Sequence, residues 1–174
     1  DYWSARDLIV SSFKYDKPLY IRLGRMDVPL FYSPKEEFKP GGGKIVREGR
    51  DVTVVACGIM LFEALKAAEI LARQGIEAEV IDCYSVKPLP EDLIQSSVRR
   101  TGCCVVAEEH NQVGGLYGAV AESLGMSYPV PLRFVAIRDR FGESGTPVEL
   151  QEYYSLTHRE IVGAVAQVWA TRRR

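Results

Sequence analysis

The chain has 174 residues, 47% of them hydrophobic, with 22 basic against 23 acidic side chains for a net charge of −1. That length suits one domain of ordinary size plus an extension. The even charge balance gives no electrostatic case for nucleic acid or an anionic membrane, and no apolar run approaches the roughly 20 residues of a membrane helix.

The opening Asp1-Tyr2-Trp3-Ser4-Ala5-Arg6-Asp7 is polar and mixed, unlike a signal peptide, so the expected compartment is the cytoplasm. Ala5 to Phe13 reads as a short helix with Leu8, Ile9 and Phe13 on one side, broken by Tyr15-Asp16-Lys17-Pro18. Leu19 to Leu23 reads as a strand, with Arg22 and Arg25 flanking its end. Paired arginines there suit bidentate phosphate or carboxylate recognition, or equally two surface ion pairs. Gly24 to Gly43 holds Pro29, Pro34, Pro40 and three successive glycines, which is linker composition. A helix and one strand cannot bury a core. Residues 1–24 therefore read as the tail of another domain, 25–43 as a linker and 44–174 as the main domain.

From Lys44 the pattern is regular. Lys44 to Glu48 is a short strand, and the tight turn Gly49-Arg50-Asp51 predicts that it lies antiparallel at an edge. Val52 to Ala56 is a continuous apolar run, expected of a strand covered on both faces. Leu61, Leu65, Ala68 and Leu71 carry helical spacing up to Arg73, and Gly75 stops that helix. Ala78 to Asp82 is a strand, Pro88-Leu89-Pro90 opens a helix from Glu91 to about Arg99, and Cys103 to Glu108 is a strand. Gly118 to Leu124 is helical and Leu132 to Ile137 is the last strand. Thr157 caps a final helix through Ile161, Val165 and Val168, with Glu160 as its capping-box partner. The alternation predicts an α/β fold, a mostly parallel sheet with helices on both faces.

Such a sheet gathers its C-terminal strand ends at one edge: Gly58, Asp82 with Tyr84, Glu108 to His110, and Arg138 with Asp139. His110 beside Glu109 reads either as a general acid, base or ligand contact, or as a ring bonded to loop backbone. Glu108 and Glu109 read as paired carboxylates or as a solvated loop with one structural hydrogen bond, the second being favoured because adjacent side chains point apart. Gly114-Gly115-x-x-Gly118 at a helix start could cradle phosphate, but its spacing fits neither the Walker nor the Rossmann pattern, so close packing is the better reading. Gly142 and Gly145 read as turn residues, and His158 as plain surface. The four cysteines form no CxxC pair, which argues against a zinc site, and read as small buried hydrophobes or, as the lesser reading, a reactive thiol.

Several segments in order resemble the transketolase C-terminal region, above all the separately encoded C-terminal subunit of prokaryotes. They are Pro18 to Arg25, Arg47 to Thr53, Gly75 to Asp82, Lys87-Pro88-Leu89, Ala107-Glu108-Glu109-His110, Gly114-Gly115-Leu116 and Asp139-Arg140-Phe141-Gly142-Glu143-Ser144-Gly145. The resemblance implies a three-layer α/β/α sandwich on a five-stranded, mostly parallel sheet with one antiparallel edge strand. It identifies residues 1–24 as the end of a pyrimidine-binding domain. It implies two-carbon ketol transfer between sugar phosphates in the pentose phosphate pathway, with thiamine diphosphate and Mg²⁺ as cofactors of the complete enzyme. The partners implied are an N-terminal transketolase subunit or domain and a second copy, as a homodimer. The cofactor-activating glutamate and the pyrophosphate half belong to other parts of the family's chain, so this fragment is expected to bind no cofactor or metal and to be inactive alone. By position, Leu23-Gly24-Arg25 matches the family's Leu-Ser-Arg motif, which makes Arg25 a substrate-phosphate contact and Arg22 a second one. Glu109, His110 and Asp139 are candidates for the channel or an interface. Tyr117 interrupts the family's Gly-Gly-Leu-Gly pattern. Two sister enzymes share the domain, deoxyxylulose-phosphate synthase and the 2-oxoacid dehydrogenase β-subunit. A reading of another class is a non-catalytic anion-binding or docking module at the Glu108–Gly118 edge.

Overall fold

A computed structural model describes residues 1–172. Its elements are α1 (Tyr2–Ser12), β1 (Lys44–Arg47), β2 (Val52–Ala56), α2 (Met60–Arg73), β3 (Ala78–Asp82), α3 (Glu91–Thr101), β4 (Cys104–Asn111), α4 (Leu116–Ser127), β5 (Leu132–Ile137), α5 (Pro147–Tyr153) and α6 (His158–Ala170). The strands form one sheet in the order β1-β3-β2-β4-β5, with β1 antiparallel to β3 and the other pairs parallel. The α/β class and the antiparallel edge strand are as the pattern predicts. The partner of β1 is β3, however, and not the β2 strand that its tight turn leads into. The cause is local. Arg50 and Asp51 donate their backbone N–H groups to Glu77 O at 3.0 and 2.9 Å. A Cβ at Gly49 would collide with the Ala78–Glu79 peptide. The turn therefore crosses the start of β3, which leaves β1 and β2 on either side of it.

Alternation sorts the strand residues between two apolar layers. Val52, Val54, Ala56, Val80, Val105 and Ala107 face α2 and α6. Val55, Ile81, Cys104 and Val106 face α3 and α4, meeting Ile94, Val98, Leu116 and Val120. Thr53 breaks the apolar run on the α3 face, where its hydroxyl lies 2.6 Å from Ser97 Oγ and 2.7 Å from Thr101 Oγ1. Glu79 is also buried on β3, and Arg100 of α3 reaches it with one guanidinium nitrogen at 2.6 and 2.8 Å from its two oxygens. These pairings satisfy polar groups that would otherwise destabilise the layer.

Several boundaries differ from expectation. Residues 13–43 contain no helix or strand, so the strand expected at Leu19 to Leu23 is not formed. An isolated strand has nothing to satisfy its N–H and C=O groups, and no described strand pairs with it. The strand expected to end at Glu108 continues to Asn111 through an irregularity in its pairing with β5. α4 begins at Leu116, earlier than Gly118, and α5 was missed although Thr146, Pro147 and Glu149 form a capping box with proline at its first helical position. At α6, Thr157 accepts from Arg159 N as predicted for a cap, but its hydroxyl, not its backbone N–H, meets Glu160. Residues 31–38 are no loose tether. Tyr32 and Phe38 are buried, with ring centroids 4.7 Å apart, and Phe38 meets Tyr84 at 5.2 Å.

Candidate functional site

The C-terminal ends of β2, β3, β4 and β5 bring Cys57, Asp82, Glu108–Asn111 and Asp139 to one edge, where parallel α/β sheets place their ligands. Four carboxylates stand there, each with a different kind of partner. Asp82 is buried at the end of β3 and accepts a 2.5 Å hydrogen bond from Tyr32 Oη. Burial pushes the Asp82 carboxyl up, while the Tyr32 hydroxyl and the Lys44 charge pull it back. Burial, and then the Asp82 charge, pushes the Tyr32 phenol up as well, so it keeps its proton and donates. Lys44 Nζ caps this cluster 3.8 Å from the Phe38 ring centroid and bonds Glu36 at 2.8 Å.

Glu108 is 2% exposed and lies in a strand, not in a solvated loop. Its two oxygens accept from Leu116 N at 2.7 Å and Tyr117 N at 2.8 Å, which are the first N–H groups of α4. A carboxylate at a helix N-terminus gains from the dipole as well as from the two bonds. Gly115 makes the approach possible: a Cβ there would clash with Glu108 Oε2 and lie 2.8 Å from Asn111 O. Glu109 points the other way, with its carboxylate 3.7 Å from Arg22 and both side chains about half exposed. The two glutamates are thus not a carboxylate pair.

His110 is half exposed, with Nδ1 2.9 Å from Asn111 O and 4.0 Å from Glu108 Oε2. A carbonyl neighbour requires the proton on Nδ1, so the neutral ring offers Nε2 as its acceptor. Asn111 donates from Nδ2 to Asp139 Oδ1 at 3.0 Å and accepts from Val113 N at 2.8 Å, tying the ends of β4 and β5 together. Asp139 takes a left-handed backbone, φ +48, which aspartate tolerates better than most residues. Arg25 is exposed in the bend that follows Gly24. The structure thus brings Arg22, Glu109, His110 and Asp139 to the same sheet edge. A separate cleft of about 290 Å³ between β5 and α6 is lined by Arg133, Tyr154, Glu160 and Gln167, and none of the predicted site residues lines it.

His158 is not plain surface. Its backbone N and its Nδ1 both lie 2.8 Å from Glu63 Oε2 on α2. The cysteines are buried or partly buried and free. Burial pushes the Cys57 thiol up to about 12 and the Cys103 thiol to about 11, and lifts Cys83 and Cys104 as well. Protonated thiols are poor nucleophiles. Sequence reasoning missed the Tyr32–Asp82 contact. Its signal was the presence of Phe31, Tyr32 and Phe38 in a segment otherwise rich in proline and glycine.

Thiamine diphosphate and Mg²⁺ would need a diphosphate cradle and a set of hard oxygen ligands. The residues here do not fit them. The glycine-flanked start of α4 is closed by the Glu108 carboxylate, which takes its first two N–H groups. Among the described residues no three His, Cys, Asp or Glu side chains converge on one point. The same closure removes the α4 start as an anion site for a stand-alone binding module. Tyr117, where the family pattern has glycine, packs on Phe134 with centroids 4.6 Å apart.

The family described as transketolase, C-terminal domain, matches residues 41–161. This chain belongs to that family. Among curated relatives of the transketolase family, the 6-deoxy-6-sulfo-D-fructose transketolase subunit of Clostridium sp. (strain MSTE9) is 48% identical over 154 residues, covering 88% of this chain and 48% of that protein. The 1-deoxy-D-xylulose-5-phosphate synthase of Trichormus variabilis is 36% identical over 167 residues, covering 93% of this chain and 26% of that one. A solved structure described as a split gene transketolase in an inactive beta4 tetramer superimposes with a TM-score of 0.96 at 46% identity, covering 99% of this chain and 57% of the other. The chain therefore spans about half the length of the transketolase subunit and of the split-gene transketolase chain, and about a quarter of the synthase. The transketolase C-terminal fold carries the five-stranded mixed sheet seen here, and no helix among the described residues is long and apolar enough to cross a membrane.

Proposed function

We propose that this chain is the C-terminal section of a split, thiamine-diphosphate-dependent transketolase that moves a two-carbon ketol unit between sugar phosphates. The observation that carries the reading is the half-length match, at 46 to 48% identity, to a transketolase subunit and to a split-gene transketolase. In this reading an N-terminal subunit and the rest of the pyrimidine domain hold the cofactor and Mg²⁺, because the residues of this chain do not fit them. Two such assemblies pair as a homodimer in the cytoplasm. The chain by itself is inactive. Arg25, exposed beyond the Leu23-Gly24 segment, grips the substrate phosphate with its guanidinium fork. Arg22 adds a second positive charge, shared with Glu109. Glu109, His110 and Asp139 form the rim of the substrate channel or of a subunit contact.

A second reading concerns the anionic end of the sugar. The 48% identical relative is named for a sulfonated fructose, and a sulfonate offers the same three-oxygen face to an arginine as a phosphate does. The test is to combine the full-length subunit with its N-terminal partner, thiamine diphosphate and Mg²⁺, and to follow ketol transfer from xylulose 5-phosphate, from a 6-sulfonated ketose, and condensation of pyruvate. Activity only in the mixture is expected, with the phosphorylated donor preferred. Arg25→Ala is expected to raise KM for the phosphorylated substrate about tenfold or more while kcat changes little. Preference for the sulfonated ketose would move the substrate assignment, and turnover of pyruvate alone would move the enzyme to the deoxyxylulose-phosphate synthase branch.

A further inference from the structure

Arg25 lies in a bend with no helix or strand around it, yet a phosphate contact must be held in place to discriminate between substrates. The chain on both sides of it is fastened to the C-terminal edge of the sheet. Three residues before it, Arg22 faces Glu109 of β4 at 3.7 Å. Seven residues after it, Tyr32 donates its hydroxyl to buried Asp82 of β3 at 2.5 Å. The backbone at that second point is fixed too, since Phe31 N and Tyr32 N donate to Asp1 Oδ2 at 2.7 and 2.9 Å. The Tyr32 ring is buried against Phe38, so it is not free to swing.

We infer that Tyr32 and Glu109 are positioning residues for Arg25: the transketolase C-terminal domain, although its residues do not fit the cofactor, sets where the phosphate-gripping arginine stands. This deepens the proposed function and rests on its assignment of Arg25. The two fastenings differ in kind. Asp82–Tyr32 is a buried hydrogen bond to a carboxylate with a single geometry. Arg22–Glu109 is a half-exposed ion pair, screened by salt and weaker. The tyrosine is therefore the dominant support and the glutamate a lesser one that weakens with ionic strength.

Tyr32→Phe removes the hydroxyl and keeps the ring packing, while Glu109→Gln removes the charge and keeps the size. Each is made in the full-length subunit and assayed with the N-terminal partner, using one phosphorylated and one unphosphorylated aldose acceptor. The ratio of the two KM values is the readout, because damage to folding or assembly lowers turnover of both acceptors alike. Tyr32→Phe is expected to shift that ratio against the phosphorylated acceptor by about three- to tenfold, the scale of one lost hydrogen bond. Glu109→Gln should shift it about twofold, vanishing at high salt. Tyr32→Phe should not add to the effect of Arg25→Ala, since it acts through that residue. An unchanged ratio in Tyr32→Phe, or full additivity with Arg25→Ala, overturns the inference while leaving Arg25 as the contact. An unchanged ratio in Arg25→Ala itself overturns the phosphate assignment and the inference with it. If Tyr32→Phe fails to fold, the salt dependence of Glu109→Gln still decides.

Discussion

Glu108 shows how a residue that looks like chemistry can be structure. In the sequence it stands next to a glutamate and a histidine, which is the composition of an acid–base site. In the fold it is sealed beneath α4 and gives both oxygens to backbone N–H groups. The same contact explains Gly115, whose missing Cβ leaves room for the carboxylate. Glu108→Ala would strand two helix-start N–H groups and is expected to cost about 2–4 kcal/mol. Glu108→Gln should cost less, because the amide keeps one acceptor but turns an NH₂ toward an N–H donor. Gly115→Ala should cost about 1–3 kcal/mol through overpacking. Urea unfolding of the three variants measures this order. A Glu108→Ala protein as stable as the parent would mean that the helix start is held by something else.

Between elements, the least expected contact is Glu63 of α2 with the start of α6. The carboxylate accepts from His158 N and lies against His158 Nδ1, and Lys66 bonds it from the other side at 2.7 Å. Burial alone would raise the Glu63 carboxyl, but the bonds from Lys66 and His158 outweigh burial and hold it below its ordinary value of 4.5. A depressed acid favours the folded state above its unfolded pKa, and that contribution disappears as pH falls through the folded pKa. Glu63→Gln should therefore destabilise by about 1–2 kcal/mol near neutral pH, and the gap from the parent should close well below pH 4.5. Denaturant midpoints at the two pH values test this, and a gap that stays constant with pH would refute the charge as its source. Elements such as β2, β3 and β5 were legible from end to end, because a short apolar-rich run set off by glycine, proline or polar connections is read locally. What was not legible depended on partners distant in sequence. The Glu63–His158 contact spans 95 positions and Tyr32–Asp82 spans 50. The extension of β4 through His110 came from β5, and the unpaired state of Leu19 to Leu23 from the lack of any neighbouring strand. α5, by contrast, was missed with a purely local signal in plain view, in Thr146-Pro147-Val148-Glu149.

At the scale of the whole molecule, the two ends of the chain differ in how they meet water. The buried residues of both apolar layers lie between Val52 and Val168, most of them in the sheet and the helices α2, α3, α4 and α6, with Ile76, Cys83, Cys103 and Leu156 added from the connections. The first 31 residues bury little by contrast. α1 has Ser4 as its one buried residue, and Phe13 and Tyr20 are 86 and 87% exposed, with Leu23 and Leu30 also open. Large apolar side chains exposed together along one segment suit a surface that makes further contacts. If residues 1–24 are the tail of a pyrimidine domain, the remainder of that domain is the cover, and the main domain needs none of it to fold. Backbone hydrogen exchange separates these statements. In the 174-residue chain, amides of residues 13–31 should exchange quickly while those of β2, β3 and β4 stay protected. In the full-length subunit the same sheet amides should be unchanged, and residues 13–31 should slow by about tenfold or more as Leu19 to Leu23 gains strand neighbours. Loss of sheet protection in the shorter chain would show that the boundary at residue 44 does not divide two folding units. Fast exchange at residues 13–31 in the full-length subunit would show instead that the cover comes from the N-terminal partner, and adding that partner should then slow them.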